Sequence, residues 1–362
     1  MARVQEKLLL GTRKGLVIYS RDSLGWHWTT DHFLGIPVSL AVSDPRDGTW
    51  WALLDHGHWG CKLHRSCDEG ETWEEVAAPR YPDGEWIKEG EPATLKYLWA
   101  FAPGAPGQDG RIYLGTEPGG LFVSDDNGDS FQLNRGLWEQ PGRMQRWFGG
   151  GRDYPGIHSI VVDPADPDHL YVGISVAGVF ESTDGGASWM PRNQGLRADF
   201  LPDPEVDVGH DPHLVIACPE QPRKMWQQNH CGIYRSTDAG ASWQDVSEAD
   251  GAAAFGFAIA VDEHDGDVAW VVPAAKDEYR VAVNYGLKVC RTEDGGKSWR
   301  IFDKGLPRSA CYDLVYRHAL DVHGDTVAFG STTGNVYVSE DQGESWRCLN
   351  NHLPPVYSCR FV

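Results

Sequence analysis

The chain has 362 residues, 41% of them apolar, which is enough for one large globular domain or two ordinary ones. Lysine and arginine total 32 against 52 aspartates and glutamates, a formal charge of −20. That balance removes the basic face that a nucleic-acid binder needs and makes an anionic membrane surface repulsive, so no nucleic-acid partner and no membrane partner is expected.

From the N-terminus, Met1 to Ser20 holds no charged segment followed by a long apolar core. No export signal is read there, and a cytoplasmic location is expected. Lys7–Gly11 and Leu16–Ser20 read as the second and third strands of a unit whose first strand is missing. The eight cysteines include no CxxC pair, which excludes a zinc ribbon or a thioredoxin motif and leaves reduced core thiols. Sixteen Trp, 42 Gly and 22 Pro favour many short strands joined by tight turns.

One pattern then recurs along the chain: Ser-x-Asp-x-Gly-x-Ser/Thr-aromatic. It occurs at Ser66–Trp73 (SCDEGETW), Ser124–Phe131 (SDDNGDSF), Ser182–Trp189 (STDGGASW), Ser236–Trp243 (STDAGASW), Thr292–Trp299 (TEDGGKSW) and Ser339–Trp346 (SEDQGESW). A degraded seventh copy is Ser20–Trp28 (SRDSLGWHW). The central aspartates 22, 68, 126, 184, 238, 294 and 341 are 46 to 58 residues apart, a length that suits a four-stranded unit. Chemically the motif is a turn. A short polar side chain accepts hydrogen bonds from nearby backbone N–H groups, Gly supplies a positive φ, and the closing aromatic starts a strand and packs between units. The acidic loops lack the spacing and the distal Glu of an EF-hand, so they are read as structural rather than as calcium sites.

These motifs resemble Asp-boxes, the BNR repeats of sialidases, xyloglucanases and sortilin-type propellers. The resemblance spans nearly the whole chain. It implies an all-β fold: a seven-bladed β-propeller of four-stranded antiparallel blades, covering residues 1–362 as one domain. The fourth period is the clearest, with strands expected over Ile157–Val162, Leu170–Ile174, Val179–Ser182 and Ser188–Pro191. Val356–Val362, after Pro354-Pro355, supplies the strand missing from the first unit, so pairing of the two chain ends closes the ring without an exposed edge.

In such blades the Asp-box turns share one face, and a ligand site is expected on the other, where the loops are longest. The connections Arg135–Gly156 and Asn193–Pro212 and the insertion Ala274–Gly286 stand out there, and Trp138, Trp147, Phe148 and Phe200 suit ordered loops. Phe148-Gly149-Gly150-Gly151-Arg152 lacks the Gly-Lys-Ser/Thr of a P-loop and reads as a flexible loop. Histidines gather in the same segments: His56 and His58 (DHGHWG), His158, His210 and His213 (GHDPH), and His230 after Asn229 (QQNHCG). Among them, His58, His158, His213 and His230, with Glu117 or Asp211 as oxygen donor, could hold a divalent transition metal. The other reading is hydrogen-bonding loop residues on separate blades that never meet. Arg13 is the favoured anion-binding cation in its short loop, beside Arg143, Arg146, Arg152 and Arg308.

Glu117, Asp211, Asp277 and Glu278 are the candidate catalytic carboxylates for glycoside chemistry. Arg13, His56, His58, His158, His213, Asn229 and His230 are the candidate ligand-binding set. Tyr279, Tyr312 and Tyr357 are positional candidates for a nucleophile. Sialidases of this type carry an arginine in a Phe/Tyr-Arg-Ile-Pro segment, whereas the nearest stretch here is Phe33-Leu34-Gly35-Ile36-Pro37. GVFESTDGGASW, NQGLRADFLPDPE, QQNHCGIYRSTDAG and HLPPV are similar to bacterial propellers described as sialidase-like or glycosyl-hydrolase-like. The first reading is therefore a pocket for a polar small molecule or carbohydrate. A glycoside hydrolase or lyase comes second, and a protein-interaction scaffold third.

Overall fold

The computed structural model describes residues 6–362; Met1 to Gln5, included in the expected 1–362 unit, lie outside the described residues. The chain forms a seven-bladed β-propeller of antiparallel sheets. In the fourth blade the strands run Ile157–Val162, Leu170–Ile174, Gly178–Ser182 and Met190–Pro191 from the axis outward. The first blade is assembled from both ends of the chain. Its innermost strand is Val356–Phe361, pairing antiparallel with Lys7–Thr12, followed by Gly15–Asp22 and Gly25–His32. Leu8 faces Phe361 and Leu10 faces Cys359 across the seam, so the ring closes without leaving backbone donors and acceptors unpaired at an edge.

The apolar core is divided into seven wedges, one at each junction between neighbouring blades. Leu9, Ile18, Ala41 and Trp50 fill the junction of blades one and two, for example, while Leu8, Tyr19, Val338 and Cys359 fill that of blades seven and one. The remaining junctions are filled in the same way. Each strand is sandwiched between two such wedges, which is why Trp50-Trp51-Ala52-Leu53-Leu54 and its counterparts are continuous apolar runs rather than alternating ones. The blades approach closely. A Cβ on Gly115 would stand 2.6 Å from the Ile157 carbonyl oxygen of the next blade, closer than real Cβ atoms come.

The six acidic turns are nearly superposable in their bonding. In the fourth blade the Ser182 hydroxyl donates to Asp184 Oδ1 at 2.8 Å and accepts from the Gly186 N–H at 2.8 Å, while Ser188 donates through both its N–H and its hydroxyl to Asp184. The other five clear copies repeat this pattern. Hydrogen bonds from Ser188 and Ser182 hold the Asp184 carboxyl at about 2, and those from Thr72 and Ser66 do the same for Asp68. Two of the closing tryptophans reach back to the preceding blade: Trp243 Nε1 donates to the Arg192 carbonyl and Trp299 Nε1 to that of Val246, both at 2.8 Å. Burying each indole contributes about 2–3 kcal/mol. The degraded first copy keeps only a local turn, with the Leu24 N–H donating to Asp22.

The opposite face is built differently, starting with a break in strand register. In six blades the innermost strand carries a β-bulge near its start. The skipped residues are Ser39, Trp99, His158, His213 and Tyr357, together with the Phe257-Ala258 pair. A bulge sets an extra residue against one partner and turns its side chain out of the regular alternation. In the seventh blade the short helical turn Arg317–Ala319 precedes the innermost strand Leu320–His323 and stands in the equivalent place.

Candidate functional site

Five bulged residues, Ser39, Trp99, His213, Phe257 and Tyr357, line one axial cavity of about 760 Å³. Its wall is completed by the long connections expected to matter: Phe148 to Arg152 from the first, Phe200 from the second, and Asp277 and Arg280 from the insertion in blade six. That insertion adds a fifth strand, Tyr279–Ala282, to the end of the blade's second strand. Trp138 and Trp147 are buried and anchor the first connection, while Phe148 and Phe200 stay half exposed at the mouth. The triglycine run is not an open tether. A Cβ on Gly149 would meet the carbonyl oxygens of Arg152 and Asp153 at 2.4 and 2.5 Å, so the chain folds back on itself there to form part of the wall.

Although the protein as a whole is acidic, four arginines converge on this cavity: Arg13, Arg152, Arg280 and Arg317. Two have carboxylate partners. Arg152 pairs with Glu117 and lies 4.2 Å over the Tyr97 ring, and Arg280 pairs with Asp277 at 2.6 Å. Arg317 lies against the rings of Trp99 and Phe257, at 5.1 and 5.7 Å. Its Nε is buried without a partner, and its guanidinium makes no hydrogen bond or ion pair within the described residues. The Arg13 side chain, exposed on the turn between Lys7–Thr12 and Gly15–Asp22, is likewise unpaired among the described residues. A guanidinium held against two aromatic faces and left unbonded has its fork free for an external anion.

On the fifth blade, Asp211, His213 and His230 come together. Asp211 Oδ2 lies 3.7 Å from His213 Nε2 and 3.7 Å from His230 Nδ1, and the three donor atoms all fall within 4.8 Å of one another. His213 is stacked on Phe257, 4.4 Å between ring centres, and its Nδ1 donates to the Gly256 carbonyl at 2.6 Å. Burial lowers the His213 pKa below that of a free imidazole. For Asp211, burial opposes ionisation, but His213, Arg317 and His230 outweigh it and hold the carboxyl at about 2.

Several expected residues stand elsewhere. His56 and His58 lie on the outer rim: His58 is exposed on a short helical turn, and His56 borders a separate shallow groove with Trp59, Lys62 and Glu75. They lie on a surface turn beyond the end of the second strand, Trp50–Asp55, and so never reach the axis. His158 is bulged toward the axis but lies beneath the Trp99 ring, at 5.7 Å, with Nδ1 on the Ser159 hydroxyl; burial keeps it neutral. The expected four-histidine metal set is therefore not assembled, and only His213 and His230 meet, with Asp211. Asn229 is fully buried and closes a turn, bonding Gln227 and the Cys231 N–H. Glu278 is a surface group 3.5 Å from Lys276. Glu117 is 3% exposed and bonds Arg152 and the Tyr154 N–H, fastening the long connection rather than facing the cavity. Arg143 lies on the Trp138 ring, and Arg146 and Arg308 pair with Asp207 and Asp303. Tyr279 and Tyr312 are exposed, and only Tyr357 of the three tyrosine candidates lines the cavity.

Sequence reading missed Asp55, Tyr97, Trp99, Phe257, Tyr316 and Arg317, all on the cavity wall. The available signal was positional: Tyr97, Trp99, Phe257 and Arg317 stand at or just before the first residues of the innermost strands, where His158 and His213 had already been noticed.

No family model matches the chain. It is 24% identical over 226 residues to an oligoxyloglucan-reducing end-specific xyloglucanase of Emericella nidulans, a match covering 57% of this chain and 25% of that protein. It is also 24% identical over 284 residues to a xyloglucanase of Acetivibrio thermocellus, covering 70% of this chain and 32% of that one. The chain thus spans about a quarter to a third of the length of these curated relatives. Among solved structures it resembles the GH74 enzyme of Niastella koreensis with a TM-score of 0.60 at 15% identity, over 93% of this chain and 53% of that one, a likeness of fold.

Proposed function

We propose that this propeller takes a small acidic saccharide into the axial cavity and acts on it as a glycoside hydrolase or lyase. The observation that carries the reading is Arg317, a partly buried guanidinium with its Nε sealed and no hydrogen-bonding partner among the described residues, against the rings of Trp99 and Phe257 at the cavity wall. A partly buried cation left unpaired is costly, and an entering carboxylate would relieve that cost through two parallel N–H···O bonds. Arg13, on the first blade, would meet a second acidic or hydroxyl oxygen. The flat rings of Trp99, Phe257 and Tyr97 suit the C–H faces of a sugar, and a volume of about 760 Å³ lies within the range of roughly 300–1,000 Å³ usual for small-molecule sites.

Distant xyloglucanase homologues support a carbohydrate substrate. The chemistry of the walls favours an acidic sugar over a neutral polymer, because the two arginines without a carboxylate partner, Arg13 and Arg317, bond a carboxylate more strongly than a hydroxyl. Cleaving a glycosidic bond needs two carboxyl groups at the sugar. Asp55 and Asp211 are the wall carboxylates not engaged by an arginine, and they stand three blades apart around the ring. Asp211, held ionised by its neighbours, suits stabilisation of positive charge rather than proton transfer.

The test is a thermal-shift series on the full chain with glucuronate, galacturonate and N-acetylneuraminate against glucose, xylose and xyloglucan oligosaccharides, followed by aryl glycosides of any acidic sugar that binds. We expect the melting temperature to rise with an acidic sugar, the shift to disappear in Arg317→Ala, and turnover of the matching aryl glycoside to fall in Asp55→Asn. Stabilisation by the neutral oligosaccharides to the same degree, or an undiminished shift in Arg317→Ala, would contradict the reading.

A further inference from the structure

We propose that Asp211, His213 and His230 form a binding site for one divalent transition-metal ion, with its open coordination positions facing the axial cavity. The argument starts from the hydrogen bonds the three groups do not make. Both histidine-to-carboxylate separations are 3.7 Å, beyond hydrogen-bond length, so the three donors converge without satisfying one another. His213 Nδ1 donates to the Gly256 carbonyl at 2.6 Å, which fixes the tautomer and leaves Nε2 with its lone pair free, 3.7 Å from Asp211 Oδ2. A lone pair facing a carboxylate oxygen is repulsive unless a cation lies between them. A metal ion seated between them would take that lone pair and Asp211 Oδ2 together.

The geometry suits that ion. Bonds of about 2.1 Å in a tetrahedral site place ligand atoms roughly 3.4 Å apart, close to the two 3.7 Å edges, and the third edge, within 4.8 Å, would shorten by a turn of the partly exposed His230 ring. A backbone carbonyl accepting from the far nitrogen of a ligating imidazole is the usual outer support of such sites, and Gly256 supplies it. Asp211 Oδ1 is occupied by the Val176 N–H at 3.2 Å, leaving Oδ2 to the metal. The His230 N–H donates to the Asp211 carbonyl at 2.9 Å, so all three donors are tied within one blade and need no loop closure to assemble. His230 is the partly exposed member, and all three line the cavity.

Two imidazoles and one carboxylate favour zinc, cobalt, nickel, manganese or ferrous iron over calcium or magnesium, which prefer all-oxygen shells. The same cavity holds Arg317, so the open positions would face an environment that selects an anionic oxygen ligand. The inference does not depend on the saccharide reading, because metal binding is read without any sugar present.

The experiment uses tag-free full-length protein stripped with a chelator and titrated with Co(II), following its visible absorption bands, with Zn(II) calorimetry alongside. We expect one equivalent bound, at least tenfold weaker binding in His230→Gln and in Asp211→Asn, and unchanged binding in His58→Ala. His230 is partly exposed, so His230→Gln keeps the test valid even if substitutions at His213 unfold the blade, and circular dichroism checks the fold of each variant. Absence of stoichiometric binding in the wild type would overturn the proposal, as would equal affinity in His230→Gln and wild type.

Discussion

The two faces of this propeller are made from the same strands but obey opposite rules. On the face of the acidic turns, six copies place Ser or Thr, Asp, Gly and Ser or Thr in one bonding pattern, and these four groups bond one another within the turn. On the opposite face the blades share a register break but, His158 and His213 apart, differ in the residue it turns out. The register breaks at the start of the innermost strands turn serine, tryptophan, histidine, phenylalanine and tyrosine toward one axis. Polar groups there are left unbonded: the Arg317 guanidinium and His158 Nε2 among them. Repetition builds the frame, and departure from repetition builds the cavity.

The comparison is broken most severely by attacking what both faces share. Deleting Val356–Val362 removes the innermost strand of the first blade and exposes the Lys7–Thr12 edge; we expect no soluble folded protein, judged by expression and size-exclusion chromatography. Next comes the turn face. Asp184→Ala strips the acceptor from Ser182 and Ser188, and Asp238→Ala does the same for Ser236 and Ser242. Each is expected to lower the denaturant midpoint while leaving ligand and Co(II) affinity unchanged, because neither aspartate lines the cavity.

The same turns set the acid limit of the fold. Their carboxyls are held below the ordinary value of 3.8, at about 2 for Asp68, Asp126 and Asp184. A folded pKa below the unfolded one means stability that is complete above pH 4 and is lost as pH falls toward 2. Thermal melts across that window should show a steep decline, shallower in a variant already lacking Asp184. The smallest effects on stability belong to the cavity. Arg317→Ala removes an unpaired cation, so its unfolding free energy should stay within about 1 kcal/mol of wild type, with binding abolished. His56→Ala and His58→Ala should change neither quantity.

Much of the frame was legible in the sequence because it is written in short-range chemistry. Asp184 and Ser188, four residues apart, bond each other, so spacing alone finds the turn. The apolar runs and Val356–Val362 likewise announced the blades and their closure. The cavity was legible only in part. His213, His230, Asp211, Asp277 and Arg13 were found because imidazoles, acids and arginines in long connections draw attention, and the structure places all five on the wall. His58 and His158 carry the same residue type in comparable segments, yet one is on the rim and the other is sealed under Trp99. Which way a residue points near the axis depends on a single register shift per blade, and Trp99, Phe257 and Tyr357 look like ordinary strand residues until the bulge that turns them is seen. Arg317 was missed for the same reason: no local pattern separates it from Arg143, whose three nitrogens each donate to a carbonyl, of Trp138, Ile87 and Trp86.

The most direct measurement is isothermal titration of the strongest-binding acidic saccharide into wild type, Asp184→Ala and Arg317→Ala, paired with the unfolding free energy of each. The division between a structural face and a binding face predicts that Asp184→Ala loses stability and keeps its affinity, while Arg317→Ala keeps its stability and loses its affinity. If both variants lost affinity and stability together, or if Arg317→Ala bound as tightly as wild type, the division would be contradicted.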